Sequence, residues 1–240
     1  MRKAKKSLSQ NFLIDKNILK KILKQTFIKN QTILEIGPGY GFLTDFIIKS
    51  NPKKIYLIEK DTNIVKFLHE KYNHNKNIII IEGDILNFDL NKFKNLIIIS
   101  NLPYNISTKL IIHLFKYNRN IIEMIFMIQK EVAIKFDYKV PSMNKYKFLT
   151  KIITKFTRCF DVSSKVFIPK PKIKSTVVKF IFKRKNYDYE NILKFSNLIF
   201  KNVRKKIYKN LNLNKTENKL LNKRINQLSI NELLDIYNLF

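Results

Sequence analysis

Cysteine and tryptophan are nearly absent from this sequence, which contains one cysteine and no tryptophan. Because Cys159 stands alone, the chain can form no intramolecular disulfide and supplies no thiolate cluster for a metal. The histidines His69, His74 and His113 lack the close spacing of metal ligands, so we expect no metal site. Such sparing use of cysteine fits the reducing cytoplasm, and we expect the protein to be found there.

Acidic residues are also few, with 18 Asp and Glu against 47 Lys and Arg, which gives a formal net charge of +29. A positive field of this size attracts a polyanion, so nucleic acid is the first partner to consider. AT-rich codons would also enrich Lys, Asn and Ile, so the charge supports nucleic-acid binding without proving it. Apolar runs of membrane-spanning length are missing, and polar residues interrupt the basic N-terminal stretch. We therefore predict neither a signal peptide nor a membrane association.

From residue 32 onward, short β-rich runs alternate with segments of helical periodicity. The predicted strands are 32–36, 54–59, 77–82, 96–100 and 123–129, and the predicted helices between them are 42–50, 61–72 and 106–116. This alternation predicts an α/β protein with a parallel sheet covered by helices. The runs 78–81 and 97–99 are continuous and β-branched, which predicts that both belong to central strands buried on two faces.

After residue 185 the pattern becomes purely helical. Helices are predicted at 189–203 and at 229–240, and Ser229 with Glu232 forms a capping box at the start of the second one. We therefore predict two domains, an α/β domain at residues 1–185 and a small all-helical domain at residues 186–240.

Glycine is scarce, yet three of the four glycines fall in the segment EIGPGYG at residues 35–41, between a predicted strand and a predicted helix. Such a turn lets the backbone approach a ligand at the positive end of a helix, although it could also be an ordinary tight turn. The spacing fits neither the Gly-x-Gly-x-x-Gly dinucleotide fingerprint nor a P-loop. With dinucleotides and P-loop nucleotides excluded, the remaining candidate is a nucleoside ligand without a pyrophosphate. S-adenosylmethionine fits that description, and we assign Gly37 and Gly39 to its site.

Carboxylates follow the next two predicted strands. Glu59 ends the second strand, where it can hold ribose hydroxyls, and Asp84 follows the third, where it can accept a hydrogen bond from an adenine amino group. Ligands of such sheets lie beyond these carboxyl ends. Taken alone, Glu59 could be a surface charge and Asp84 a turn residue.

The fourth predicted strand leads into the segment NLPY at residues 101–104, which is the most specific signal in the sequence. It resembles the Asn/Asp-Pro-Pro-Tyr motifs of amino-methylating methyltransferases. An adenine amino nitrogen is a poor nucleophile because its lone pair is delocalised into the ring. The side-chain oxygen of Asn101 can accept a hydrogen bond from that group while Tyr104 stacks on the extruded base. An ordinary loop before a helix is the alternative.

From Lys5 to about Leu211, the sequence resembles the ribosomal RNA small-subunit adenine dimethyltransferase family. The resemblance rests on SQNFLID at 9–15, NLPYNIST at 101–108 and FIPKPKIKS at 167–175. It implies a Rossmann-like class I methyltransferase sheet with a helical C-terminal domain that binds RNA. It also implies S-adenosylmethionine-dependent dimethylation of two adjacent adenines in small-subunit (16S) rRNA, in the course of small-subunit biogenesis. The implied partner is this rRNA or the 30S particle, and we expect a monomer.

The resemblance further implies roles for individual residues. Asn11 and Leu13 would contact the cofactor, and Asn101 would lie near it. Phe167 would give the target base a second aromatic face opposite Tyr104. Alternatively, Phe167 is a hydrophobic residue that docks a proline-rich loop.

The stretch 200–211 is similar to the family's basic helix. Its residues Arg204, Lys205 and Lys206 are therefore assigned to contacts with RNA phosphate, with a solvated charged face as the alternative. The sequence departs from the family at 135–149, where the usual Pro-Gly-x-Lys-x-Tyr-Gly-like stretch has lost its glycines and reads VPSMNKYKF at 140–148.

Two rival functions remain open. One is methylation of large-subunit rRNA by a related enzyme of the antibiotic-resistance type, and the other is a non-catalytic assembly or transcription factor. Leu102 and the segment QKEVA at 129–133 favour the small-subunit family. The intact NLPY segment and Glu59 argue against a loss of catalysis.

Overall fold

The computed structural model describes residues 12–171, 173–183, 188–214 and 217–239. Within them the chain forms two compact units. The first contains the described residues up to Ala133 together with Thr157–Phe182, and the second contains Ile134–Phe156 and the described residues from Lys183 onward. The predicted boundary near residue 185 lies outside the described residues. The second unit also includes 134–156, a segment that is predicted from sequence to belong to the first domain.

The first unit is built around a mixed β-sheet. The strands of the chain are β1 (Phe12–Leu13), β2 (Thr32–Ile36), β3 (Lys54–Glu59), β4 (Ile78–Glu82), β5 (Leu96–Asn101), β6 (Ile121–Gln129), β7 (Thr154–Val162), β8 (Phe167–Ile168) and β9 (Ser175–Phe182). Among the described residues, the sheet has seven strands in the order β4-β3-β2-β5-β6-β9-β7. Neighbouring strands from β2 to β6 pair in parallel, whereas β9 is antiparallel to β6. The predicted α/β architecture with a parallel sheet at its centre is confirmed.

The two isoleucine-rich runs occupy different places in this sheet. The run 97–99 lies in β5, which has neighbours on both sides and is buried along most of its length, so its prediction as a central strand is confirmed. The run 78–81 lies in β4 at the edge of the sheet, where the isoleucines are only partly buried, so that prediction is wrong. A β-branched run correctly predicts a strand in both cases. It does not report whether a second strand pairs alongside.

Four helices of the first unit follow strands and cover the sheet: α1 (Lys16–Leu23), α2 (Phe42–Ile48), α3 (Thr62–Tyr72) and α4 (Ser107–Phe115). Local chemistry determines where they begin. Asp15 accepts hydrogen bonds from the backbone N–H of Asn17 and Ile18 at the start of α1, and Asp61 accepts one from Asn63 at the start of α3. In α3 the buried residues recur at helical spacing and pack into the core of the sheet.

The remaining helices are α5 (Lys130–Phe136), α6 (Lys145–Ile153), α7 (Tyr189–Ile199), α8 (Ile207–Asn210) and α9 (Ile230–Tyr237). In the second unit, the ring of Phe148 on α6 lies 5.7 Å from that of Phe195 and 6.2 Å from that of Tyr237. This aromatic packing explains why 134–156 belongs to the helical unit. The predicted capping box at Ser229 and Glu232 opens α9, as expected.

The segment 140–148, which lacks glycine, is held in place by a buried lysine. Lys147 is 2% exposed, and its ammonium donates to the carbonyl oxygens of Val140 at 2.8 Å, Pro141 at 2.9 Å and Ser142 at 2.7 Å. Ser142 has a φ of 72°, a conformation that glycine would adopt with less strain. Three hydrogen bonds to one cation therefore hold this turn without a glycine.

Candidate active site

The parallel strands β2, β3, β4 and β5 end at one edge of the sheet, and residues that follow them line a single cavity. The residues assigned from sequence that line it are Leu13, Gly37, Gly39, Glu59, Asp84, Asn101 and Tyr104. The carboxyl ends of parallel strands meet at the same edge, so residues far apart in sequence converge there. The structure thus brings most of the predicted site together.

The glycine-rich turn between β2 and α2 has a backbone that requires glycine. Gly37 has a φ of +63° and Gly41 a φ of +78°. A Cβ atom on Gly41 would lie 2.2 Å from the hydroxyl oxygen of Tyr72, whose side chain packs against this turn from α3. The N–H of Gly37 donates to the carbonyl oxygen of Ile58 at 2.8 Å. Gly41 therefore serves packing, while Gly37 lines the cavity.

Glu59 is fixed by the backbone around it. Its Oε1 accepts hydrogen bonds from the N–H of Lys60 at 2.8 Å and of Asp61 at 3.0 Å, and its Oε2 accepts one from the N–H of Gly39 at 3.3 Å. Burial raises the pKa of Glu59, and these three hydrogen bonds act in the opposite direction. The carboxylate is thus held between the glycine turn and the start of α3, where a ligand hydroxyl can donate to it.

Asp84 lies nearer to solvent and has two partners. Its Oδ1 accepts a hydrogen bond from the N–H of Leu86 at 3.0 Å, and its Oδ2 lies 3.0 Å from the ammonium of Lys60. The hydrogen bond from Leu86 and the contact with Lys60 lower the pKa of Asp84, so the side chain is anionic at neutral pH. It can accept a further hydrogen bond from an amino group in the cavity.

Glu35 lines the same cavity, although sequence reasoning did not select it. It is 2% exposed, its Oε2 accepts a hydrogen bond from the hydroxyl of Thr44 at 2.7 Å, and burial raises the pKa of Glu35 to about 8. The sequence signal that could have selected Glu35 is a carboxyl side chain within an otherwise apolar strand, because glutamate is seldom fully buried unless it has a partner.

The charges of the cavity suit a cationic nucleoside. Among the described residues that line it, Glu59 and Asp84 are carboxylates and Lys60 is the one lysine, while Glu35 is mostly protonated at neutral pH because burial raises its pKa to about 8. In a chain of net charge +29, this local excess of acidic groups disfavours a pyrophosphate and favours a sulfonium and an ammonium group. Leu13 and Ile85 add apolar surface for a base. The residues present therefore fit S-adenosylmethionine.

Asn101 is the last residue of β5 and the first residue of the NLPY segment. It is opposite Met127 in the pairing of β5 with β6, and the N–H of Leu102 donates to the carbonyl oxygen of Met127 at 3.1 Å. Pro103 packs close to the glycine turn, since a Cβ on Gly37 would lie 3.8 Å from its Cγ. The segment is thus anchored to the sheet on one side and to the glycine turn on the other.

Tyr104 is held at both ends. Its hydroxyl lies 2.7 Å from the hydroxyl of Ser175 on β9, and its carbonyl oxygen accepts a hydrogen bond from the hydroxyl of Ser107 at 3.1 Å. Burial raises the pKa of Tyr104, so its hydroxyl stays protonated at neutral pH. A neutral, half-buried ring at the cavity wall can offer an aromatic surface to a base.

Phe167 takes a different position from the one implied by the family resemblance. It is 2% exposed, belongs to the hydrophobic core and is not among the described residues that line the cavity. In β8 it pairs with Leu13 of β1. The structure therefore does not bring Phe167 to the base site, and the alternative interpretation as a packing residue accounts for its position. Asn11 lies outside the described residues.

The basic residues Arg204, Lys205 and Lys206 are all exposed. They lie in the irregular stretch between α7 and α8, in which the N–H of Arg204 donates to the side chain of Asn202 at 3.1 Å. The predicted helix at 200–211 is therefore wrong for these three residues, because a turn stabilised by Asn202 separates the helices.

Within the described ranges, no group of three or more His, Cys, Asp or Glu side chains could hold a metal ion. No helix in this part of the chain is long and apolar enough to cross a membrane.

Solved structures share this fold. A dimethyladenosine transferase from Plasmodium falciparum superposes with a TM-score of 0.75 at 24% identity, covering 95% of this chain and 97% of that one. The 23S rRNA methyltransferase ErmE gives a TM-score of 0.78 at 18% identity, covering 95% and 98%. These likenesses show the Rossmann-like methyltransferase fold that the family resemblance implied.

Sequence comparison narrows the class. The model of the family described as ribosomal RNA adenine dimethylase matches residues 1–240. A ribosomal RNA small subunit methyltransferase A from Malacoplasma penetrans is 39% identical, covering 87% of this chain and 78% of the relative. One from Hydrogenobaculum sp. is 36% identical, covering 99% and 94%. The chain belongs to the ribosomal RNA adenine dimethylase family.

Proposed function

We propose that this chain dimethylates the exocyclic amino groups of two adjacent adenines in small-subunit (16S) rRNA, with S-adenosylmethionine as the methyl donor. One observation carries the proposal: Asn101 and Tyr104 line the same cavity as Gly37 and Glu59. Groups suited to an amino-bearing base thus adjoin groups suited to a nucleoside cofactor. The relatives named as small subunit methyltransferases favour the small-subunit substrate.

When bound, S-adenosylmethionine supplies an electrophilic methyl group on its sulfonium. The backbone of Gly37 and Gly39 allows it to approach closely, Glu59 accepts hydrogen bonds from its ribose and Asp84 accepts one from its adenine. Leu13 covers it with apolar surface, and we assign Asn11 a cofactor contact by resemblance to the family. The carboxylates of Glu59 and Asp84 in the cavity lining support the assignment.

The role of Asn101 is to hold the target amino group. Its side-chain oxygen accepts one N–H of the adenine and favours a more tetrahedral nitrogen, whose lone pair is then available for in-line attack on the methyl group. Transfer would leave the cofactor as a neutral thioether and the nitrogen as a cation, which would then lose its proton to water. The reaction therefore needs no covalent enzyme intermediate and no strong general base.

Tyr104 holds the extruded base by stacking on one of its faces. Such stacking contributes about 1–3 kcal/mol per base in single-stranded nucleic-acid sites. The buried position of Phe167 gives no support in this conformation to the second aromatic face implied by the family resemblance.

Affinity for RNA comes chiefly from contacts with phosphate. We propose Arg204, Lys205 and Lys206 for part of this role, supported by their exposure. The proposed substrate form is the 30S particle or its rRNA, and the enzyme acts as a monomer in the cytoplasm. The single cysteine is consistent with that compartment.

The test is methyl transfer by the purified chain to small subunits that lack the modification, with large-subunit rRNA as the matched alternative substrate. Nucleosides from each RNA are then separated and identified by mass spectrometry. We expect dimethyladenosine in small-subunit rRNA at two adjacent positions. Transfer to large-subunit rRNA alone would favour the antibiotic-resistance type. Absence of transfer to either RNA, with intact RNA binding, would favour a non-catalytic factor.

A further inference from the structure

We infer that Ser175, at the first residue of β9, is a positioning residue that sets where the Tyr104 ring lies for the target base. The inference rests on the proposed function, because it assigns a part in base binding to a residue outside the NLPY segment. Its physical basis is a direct contact, since the two hydroxyl oxygens lie 2.7 Å apart.

The contact is well shielded. Ser175 is fully buried, and Tyr104 is only partly exposed at the cavity wall. Hydroxyl groups removed from water need a partner inside the protein, because an unsatisfied one costs free energy. Each of these two hydroxyls therefore restricts the other. For Tyr104 the consequence is a hydroxyl held in place, so that the ring cannot swing about the Cα–Cβ bond.

Ser175 can restrain Tyr104 because its own backbone is fixed. It pairs with Gln129 at the end of β6, and the N–H of Lys130 donates to the carbonyl oxygen of Lys174 at 3.0 Å. Thr176, the next residue, donates its hydroxyl to Asp161 of β7 at 2.8 Å. The start of β9 is thus held from both neighbouring strands, and the Ser175 hydroxyl extends from it to the hydroxyl of Tyr104.

A fixed ring matters for the reaction more than for binding. A base can stack on a mobile ring with similar affinity, but transfer requires the amino nitrogen to stay aligned with the methyl group. Loss of the Ser175 hydroxyl should therefore lower the maximal rate and leave the RNA concentration for half-maximal rate nearly unchanged. If Ser175 served only the stability of the fold, its replacement would lower the free energy of unfolding without lowering the maximal rate selectively.

The experiment is a double-mutant cycle with Ser175→Ala, Tyr104→Phe and the double variant. The rate of single-turnover methyl transfer to small-subunit RNA is measured at saturating cofactor over a range of RNA concentrations. Ser196→Ala is the matched control, because it removes the hydroxyl of another buried serine, which donates to the carbonyl oxygen of Leu193 in α7, and leaves the contact with Tyr104 in place. Thermal unfolding of all variants reports whether each one is folded.

We expect Ser175→Ala to lower the maximal rate about 3- to 10-fold, the range that a single neutral hydrogen bond supports. Tyr104→Phe should have a similar effect, the double variant should be no slower than the slower single variant, and Ser196→Ala should stay near the wild-type rate. Effects that multiply in the double variant, or a control as slow as Ser175→Ala, would overturn the inference. A wild-type chain that transfers no methyl group would instead reject the proposed function.

Discussion

Replacement of Glu59 is the most informative test of the cofactor assignment. The carboxylate is buried and held by three backbone N–H groups, so its position is fixed in the absence of a ligand. If it accepts hydrogen bonds from the ribose, Glu59→Ala removes charge-assisted bonds worth about 1.5–3 kcal/mol. The dissociation constant of the cofactor should then rise by roughly 10- to 150-fold. Affinity for RNA should change little.

Isothermal titration of S-adenosylmethionine measures the first effect, and a gel-shift titration of small-subunit RNA measures the second. Glu82→Gln is the matched control. Glu82 pairs with Glu59 in the register of β3 and β4, but it is exposed and is not among the described residues that line the cavity. Unchanged cofactor affinity in Glu59→Ala, or an equal loss in Glu82→Gln, would show that the assignment is wrong.

Two further predictions concern charge. Neutralising Arg204, Lys205 and Lys206 together should flatten the dependence of log RNA affinity on log salt concentration by up to about 2–3 units, and an unchanged slope would leave these residues as a solvated surface. Because the pKa of Glu35 is raised from 4.5 to about 8, the folded chain keeps a proton that the unfolded chain loses. The stability contributed by neutral Glu35 is thus complete below pH 4.5 and is lost as pH rises to about 8, by up to roughly 5 kcal/mol. Glu35→Gln should lack this loss in denaturant unfolding between pH 5 and pH 9, and parallel wild-type and variant curves would contradict it.

The site was more predictable from sequence than the periphery of the fold. Strands β2 and β3 match their predicted bounds, and each motif at a strand end reaches the cavity. Local sequence carries this information because a buried strand followed by glycine, carboxylate or Asn-Leu-Pro-Tyr determines both the element and the polar group at its end. The parallel order of the strands then brings the motifs together.

The pairing of strands that are distant in sequence could not be predicted in the same way. The antiparallel strand β9 and its neighbour β7 were not predicted, and β4 was placed at the centre of the sheet and not at its edge. Local periodicity does not reveal which strand pairs with which. The resemblance of 167–175 to a family motif likewise led to the assignment of Phe167 to the target base. In the structure, it is Ser175 of that segment whose hydroxyl contacts Tyr104.

The most direct test of the central claim is the rate of single-turnover methyl transfer by Asn101→Ala to small-subunit rRNA at saturating cofactor. The lost hydrogen bond is one that strengthens as the amino nitrogen becomes tetrahedral, so its removal acts on the transition state. We expect transfer to fall by about 100-fold or more, as when a single polar group that stabilises a transition state is removed. Affinity for RNA should stay within about twofold, and affinity for the cofactor should fall only modestly. A variant that methylates at nearly the wild-type rate would contradict the account, because Asn101 would then be only a loop residue.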